Sequence, residues 1–393
     1  MSCTLADCCS SIDYGFTQSS SDEAVGPHFL RITDIDSESI DWDSVPYCEA
    51  SLEESNRYSL SSGDIVVART GASTGNSRYI DSPGGAVFAS YLVRLKPRPG
   101  VNSRYLSYVL KSARWKHYVS SIANSKSAQP NMSASAMGGF SFNIHLLSEQ
   151  QAIAEVLGAL DDKIAANRKL ITTTLDLVQA LHDQLSGSGE VTSTLYTNVA
   201  EVGGGATPKT RVPEYWDGNI RWASPTDITA LEAPYLHDTS RHITQTGLDS
   251  CSSPLYPAGS ILMTSRATIG AFAVAQEPTA VNQGFIVLIP KREELRWWLL
   301  HDMTGRVKEF ENRANGATFL ELSKRVFRTM EFNLPPEVQL RRFDESACAL
   351  HEHAISLGQE SQTLASLRDT LLPALMDGTI RVKDAETHVE EVL

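Results

Sequence analysis

The sequence contains no run of apolar residues long enough to cross a bilayer, so a helical integral-membrane role is set aside. Its opening residues, MSCTLADCCSSIDYGF, lack a basic stretch followed by an apolar one; no secretory leader is expected, and the cytoplasm is the expected location. Cysteine is sparse. Cys3, Cys8, Cys9, Cys48, Cys251 and Cys348 fall without metal-ligand spacing and read as free thiols of a reducing compartment. Catalytic signatures are missing too. GGGATPKT (203–210) places Pro208 where a Walker loop needs glycine before its lysine, and reads instead as a turn into a strand. The Pro-Pro pair at 335–336 follows Leu334, which breaks the [DN]PP[YF] pattern of amino-methyltransferases. No H-E-x-x-H, G-x-S-x-G or clustered acid–lysine nuclease set stands in a convincing context. The histidines are dispersed, and His351 and His353, flanking Glu352, read as a solvated helix face. The expectation is a chain that catalyses nothing alone and holds neither metal nor cofactor.

What is present is length, charge pattern and repetition. At 393 residues, two or three domains are expected. The formal charge of −13 argues against a polyanionic partner until it is located along the chain. Much of it lies on two helix-like stretches and the C-terminal segment. Residues 1–56 carry Arg31 alone against twelve acids, whereas 57–126 carry eleven Lys and Arg against Asp64 and Asp81. That basic run is either a phosphate-facing surface or the complement of the acidic stretch before it.

The stretch 148–185 has no proline, one glycine (Gly158), and apolar residues stepping by four and three. Ile153, Leu157, Leu160, Ile164, Ile171, Val178, Leu181 and Leu185 form a heptad seam interrupted by Asn167 and Thr174. Ser148 with Gln151 suggests a capping box, Gly187 a C-cap, and the helix would be ~57 Å long. A second seam runs from Pro336: Phe343, Leu350, Leu357, Leu364 and Leu371, with Ala347, Ala354 and Ser361 between them. Pro373 should end or kink that helix and Gly378 terminate it. An antiparallel pair satisfies both seams; the competing arrangement has each helix packed on its own domain.

The intervening regions repeat one another. LSSGDIVVARTGASTG (60–75) resembles LYPAGSILMTSRATIG (255–270), AVFASYLVRLKP resembles AVNQGFIVLIP, and FNIHLLSEQQ resembles FNLPPEVQL, all offset by about 190 residues. Each region reads as mixed α/β, with strands near 63–70, 86–97, 259–265 and 280–290 and a helical stretch over 103–123. The related loops RTGASTG (69–75) and SRATIG (265–270) set an arginine among small hydroxyl residues and glycines. Arginine reads guanine bidentately or clamps phosphate, and hydroxyls position phosphate. Asn282 and Gln283 are amides suited to adenine. NSKSAQPN (124–131) and NGATF (315–319) form a second loop pair. The candidate nucleic-acid contacts are therefore Arg69, Thr70, Ser73, Thr74, Asn76, Arg78, Lys126, Gln129 and Asn131 in the first region. In the second they are Thr264, Ser265, Arg266, Thr268, Asn282, Gln283 and Thr318.

At this point the chain resembles the specificity (S) subunits of type I restriction–modification systems. LLSEQQAIAEVLGALDDKIAANRKLI, FNLPPEVQLRRF and TLLPALMDGTIRV are similar to the family's conserved helical regions. GGGATPKTRVPEYWDGNIRWASPTDI, ITQTGL and SRATIGAFAVAQEPTAVNQGFIVLIP look like one type of recognition domain, and DYGFTQSSSDEAVGPHFLRITDID like the opening of another. The resemblance implies two duplicated α/β target-recognition domains, 1–147 and 187–334, separated by two long helices, 148–186 and 335–376, that form an antiparallel coiled coil; 377–393 is a tail. It implies double-stranded DNA as ligand, each domain reading one half of a bipartite site with the helices as a ruler. It also implies two modification (methyltransferase) subunits, which bring S-adenosylmethionine and flip the target base, and motor–nuclease restriction subunits joined through them. Leu340-Arg341-Arg342 and the SGSGE turn at 186–190 depart from the usual pattern. Two rivals stay open: a coiled-coil adaptor that never reads DNA, and an enzyme fused to a recognition domain.

Overall fold

The computed structural model describes residues 2–36, 40–123, 130–187, 190–316 and 320–390. They form two compact units: residues 1–166 with 361–393, and residues 167–360. Two helices, Leu147–Ser186 and Glu337–Asp377, contribute one half each to both units.

In the first unit the sheet order is Cys9–Tyr14, Leu92–Pro97, Ile65–Ala68, Ser77–Tyr79, all antiparallel. In the second it is Ala200–Gly203, Phe285–Pro290, Ile261–Arg266, Thr268–Ala275, closed by a parallel strand, Tyr235–Leu236. The registers correspond: Ile65 faces Leu95 as Ile261 faces Leu288, and Cys9 faces Pro97 as Ala200 faces Pro290. Ahead of each sheet stands the same small ladder, Ser2–Thr4 on Ser141–Asn143 and Thr192–Leu195 on Glu331–Leu334. The duplication is thus one of hydrogen-bond register as well as of sequence. The glycines at 203–205 follow the strand Ala200–Gly203 instead of leading into one. A side chain at Gly205 would meet the carbonyl oxygen of Val281 at 1.8 Å, so only glycine lets the loop lie against that strand.

The helical stretch 103–123 is two helices, Ser103–Val109 and Ala113–Ala123. Ser112 makes the break, its hydroxyl donating to Val109 O at 2.6 Å and accepting from Trp115 N. The second unit breaks likewise, between Arg296–Gly305 and Val307–Arg313.

The helices pack antiparallel in each unit. In the first, Ile153, Leu157, Leu160 and Ile164 share a core with Leu364, Leu371 and Leu375. In the second, Ile171 and Val178 share one with Leu340, Phe343, Ala347, Ala354 and Leu357. Asn167, buried in the seam, donates to Glu360 Oε2 at 2.7 Å. The cap differs from Ser148/Gln151: Glu149 reaches back to the backbone N–H of Leu146, so the helix starts one residue earlier. Pro373 does not end the distal helix, which continues to Asp377 and closes at Gly378, φ +76. Residues 382–390 form a further helix, and Ala385 is buried in the first unit's core.

Each unit ties its α/β region to the helices through buried polar groups. In the first, Asp161 accepts from Tyr108 (2.7 Å) and Arg368 (2.8 Å). Burial would raise the Asp161 carboxyl, but Lys111, Tyr108 and Arg368 hold it below the usual carboxylate range. In the second, His351 belongs to no solvated face. It is fully buried, its ring stacked on Trp297, with Nδ1 2.8 Å from Tyr235 Oη and Nε2 3.0 Å from His301 Nε2. His301 Nδ1 lies 2.8 Å from Gln179 Oε1, and His182 packs on Trp298. Burial pushes His351 and His301 well below the ordinary histidine value, and each is lowered further by a neighbouring imidazole.

These shifts order the response of the units to acid. A neutral buried pair refuses protons that the unfolded chain accepts below about pH 6.5. Its stabilisation is therefore intact above that pH and drains below it, by up to about 1.4 kcal/mol per pH unit for each imidazole. Asp161 has a lowered value, so its contribution is lost only below the ordinary carboxylate range, near pH 4. Hydrogen exchange between pH 7 and pH 5 should therefore loosen 296–313 before 103–123. Simultaneous loosening of both would contradict this ordering.

Candidate nucleic-acid interface

The loops singled out by sequence leave the same edge of the two sheets. In the first unit, Arg69 N donates to Tyr91 O (3.0 Å), Arg69 O accepts from Met132 N (2.8 Å), and Thr70 bridges to Asn131. In the second, Ser265 N donates to Gly284 O (2.8 Å), Ser265 O accepts from Leu322 N (2.9 Å), and Arg266 bridges to Glu321. By hydrogen bonding, Arg69 corresponds to Ser265, Thr70 to Arg266, and Asn131 to Glu321. The two arginines are not equivalents; they stand one residue apart. Both loops close on a left-handed glycine pressed against a helix. A side chain would meet Val119 at Gly75 (φ +91) and Val307 at Gly270 (φ +85), each at 2.7 Å.

Arg69, Thr70, Thr74 and Asn131 come together. The Arg69 guanidinium lies over the Tyr14 ring, 4.7 Å from its centroid, and its Nη2 is 3.4 Å from Asn131 Oδ1. Thr74 spends its hydroxyl within the loop, 2.7 Å from Gly71 O. Ser73 and Asn76 both donate to Asp36, at 3.0 and 3.2 Å, and Arg78 donates to Ile35 O at 2.9 Å. These three brace the loop against the segment after the Ile32–Ile35 helix. Lys126 and Gln129 lie outside the described residues, as does Thr318.

In the second unit Arg266, Thr268 and Gln283 are exposed, whereas Thr264 and Ser265 are buried. Thr264 Oγ1 accepts from Ala271 N at 2.9 Å across a bulge in the ladder. Arg266 pairs with Glu321 at 3.0 Å, and Ala267 beside it, a left-handed alanine with φ +60, turns the chain into the next strand. Asn282 uses its Oδ1 to accept from Gly284 N (2.7 Å), and Gln283 Oε1 accepts from Thr207 (2.6 Å). Adenine needs both the oxygen and the nitrogen of an amide. With its oxygen committed inward, Asn282 presents chiefly its NH2 donor.

The basic run 57–126 is partly used within its own unit. Arg94 is buried against Asp13 (3.1 Å), Arg98 donates to Cys9 O, and Arg104 pairs with Asp162 (2.9 Å). Sequence reasoning missed Tyr14, Tyr91, Asp36 and Glu321, which reach the loops from distant segments. The only signal for Tyr91 was its place in the strand motif AVFASYLVRLKP. Among the described residues no group of three or more His, Cys, Asp or Glu could hold a metal ion, and no helix is long and apolar enough to cross a membrane.

Fold and loops together define a duplicated α/β protein built on a pair of antiparallel helices, with one arginine-bearing loop system per copy. The family model for the type I restriction modification DNA specificity domain matches residues 17–173 and again 195–340, and the chain belongs to that family. It is similar to the type I restriction enzyme MjaIX specificity subunit of Methanocaldococcus jannaschii, 38% identical over 145 residues, 36% of this chain and 34% of that one. It is also similar to the HindI specificity subunit of Haemophilus influenzae, 22% identical over 85% of this chain and 91% of the other. In fold it resembles the crystal structure of the type I restriction–modification S subunit from M. genitalium, with a TM-score of 0.59, 15% identity and 96% of each chain covered.

Proposed function

We propose that this chain is the DNA-recognition and scaffold subunit of a type I restriction–modification complex, with each recognition region reading one half of a bipartite site. The observation that carries the reading is the arginine-bearing loop, built twice on one hydrogen-bond scheme, with Arg69, Thr70 and Asn131 replaced at the corresponding positions by Ser265, Arg266 and Glu321. A shared frame with divergent tips is what two different half-sites require. The reading regions are 1–147 and 187–334, the helices 148–186 and 335–376 fix the gap, and 377–393 is a tail that follows them. The chain is non-catalytic alone; S-adenosylmethionine and base flipping belong to the modification subunits. Two such subunits dock on the helical part, one per repeat, and restriction subunits join through them. Leu147 and Val338, which begin the two repeats' helices and both stand exposed, support a surface presented twice.

Arg69→Ala in the assembled complex should weaken DNA binding by about 1–3 kcal/mol and relax one position of one half-site. Binding to a randomised duplex pool measures both, and an unchanged preference removes Arg69 from base reading. Inserting one heptad into both helices at their facing seam should widen the gap and leave both half-sites as they were. Sequencing the methylated bases in a host carrying that variant tests this, and an unchanged gap overturns the ruler. An adaptor that never reads DNA would instead leave the complex binding every duplex of the pool alike, with only the salt-dependent affinity that phosphate contacts supply.

A further inference from the structure

The two loop systems differ most at one corresponding position, Asn131 in the first unit and Glu321 in the second. Both sit opposite the residue that follows the loop's first anchor, Thr70 or Arg266. Asn131 touches Arg69 through one long contact, Nη2 to Oδ1 at 3.4 Å, and as a neutral amide it brings no charge to the arginine. Glu321 does more. Its Oε2 accepts from Arg266 Nε at 3.1 Å, and Nη2 of the arginine forms an ion pair with the same oxygen at 3.0 Å, so the carboxylate sits on the side edge of the guanidinium.

A guanidinium held side-on keeps its other edge free. With Nε engaged and Nη2 facing the same oxygen, the end formed by Nη1 and the far hydrogen of Nη2 remains, and that fork matches guanine O6 and N7. The backbone fixes the origin of both side chains. Arg266 and Glu321 form a bridge, Ala267 N donates to Leu320 O at 3.1 Å, and Asn315 pairs with Glu321 on its other side. The pair is far from buried, with the arginine side chain 48% and the glutamate 41% exposed, so it adds little to fold stability. Neutralising an arginine also lowers its attraction to phosphate. Glu321 is thus placed where it costs general affinity and gains orientation.

We propose that Glu321 is the positioning residue of the second recognition region: it holds Arg266 end-on for a guanine, so the second half-site contains a G·C pair read by Arg266 and selected through Glu321. The neighbourhood fits a donor-rich reader. A side chain at Gly284 would stand 3.1 Å from Asn282 Oδ1 and 3.9 Å from Arg266 Cβ, so glycine keeps open the space between these two residues. The amide group of Asn282, its oxygen committed to Gly284 N, can offer a second donor to the same acceptor-rich edge. In the first unit the residue corresponding to Gly284 is Tyr91, 61% exposed, and no carboxylate from the corresponding position grips the arginine.

The inference rests on the DNA-reading function proposed above, and the two fail differently. Methylated-base sequencing in hosts carrying the complex, with Arg266→Ala, Glu321→Ala or Glu321→Gln, reads the base preference at every position of both half-sites. Arg266→Ala and Glu321→Ala should relax the same G·C position of the second half-site by about tenfold or more, with the first half-site unchanged as internal control. Glu321→Gln retains an acceptor oxygen and should keep the motif with weaker discrimination. A merely structural glutamate would lower modification at all sites together without making one position degenerate. If Glu321→Ala abolishes modification everywhere, the Gln variant decides, and undiminished discrimination in it overturns the proposal. Relaxation with Arg266→Ala but not with Glu321→Ala, or at different positions in the two, removes the positioning role and leaves the DNA reading standing. A second half-site without G·C also overturns it. If neither Arg266→Ala nor Arg69→Ala alters the motif, the loops are not the readers and the underlying function itself falls.

Discussion

Burial of the helix seam is the constraint on which each unit depends. A helix carrying Ile153, Leu157, Leu160 and Ile164 on one stripe cannot stand alone in water, and the distal helix supplies Leu364, Leu371 and Leu375 to cover it. The recognition regions use the same core. Leu106, Trp115 and Val119 join it in the first unit, and Trp298, Leu299 and Phe310 in the second. No element of either sheet is therefore independent of the helices, and the loops are aimed by packing that begins at the seam.

The two units secure that attachment with different chemistry. One uses a carboxylate shared by a tyrosine and an arginine; the other uses a neutral, hydrogen-bonded imidazole pair. Both satisfy buried polar groups and fix orientation, which apolar contacts alone leave loose. Only the second begins to lose its stabilisation as soon as the pH falls below about 6.5.

Much of this was written locally in the sequence. The heptad period of 148–185 and the spacing from Phe343 to Leu371 specify the helices, and their buried faces are the ones observed. The duplication was legible because it survives as short strand motifs. Three features were not, for physical reasons. Ser112 interrupts a helical pattern whose apolar period runs through the break. Glu149, not Gln151, makes the cap because the chain enters the helix one residue earlier. Pro373 lies within a helix that its neighbours hold together on both sides. The loops carried a subtler difficulty. A sequence offset of 195 places Arg69 on Thr264, whereas the ladder places it on Ser265, because the second loop is one residue shorter and gaps within small polar residues leave no trace. Each candidate site also draws on residues such as Tyr14, Asp36 and Glu321, whose contacts depend on chain reversal and cannot be seen in a linear window.

Gly75 and Gly270 deserve to be followed one step further. Each is fixed by a left-handed backbone and by a valine that leaves no space for a side chain, while the strand end before each loop is fixed by its ladder. Between those two fastenings the chain has already tolerated the gain or loss of a residue. The loop therefore behaves as an interchangeable cartridge: its contents can be rewritten, in composition and in length, without renegotiating the fold around it.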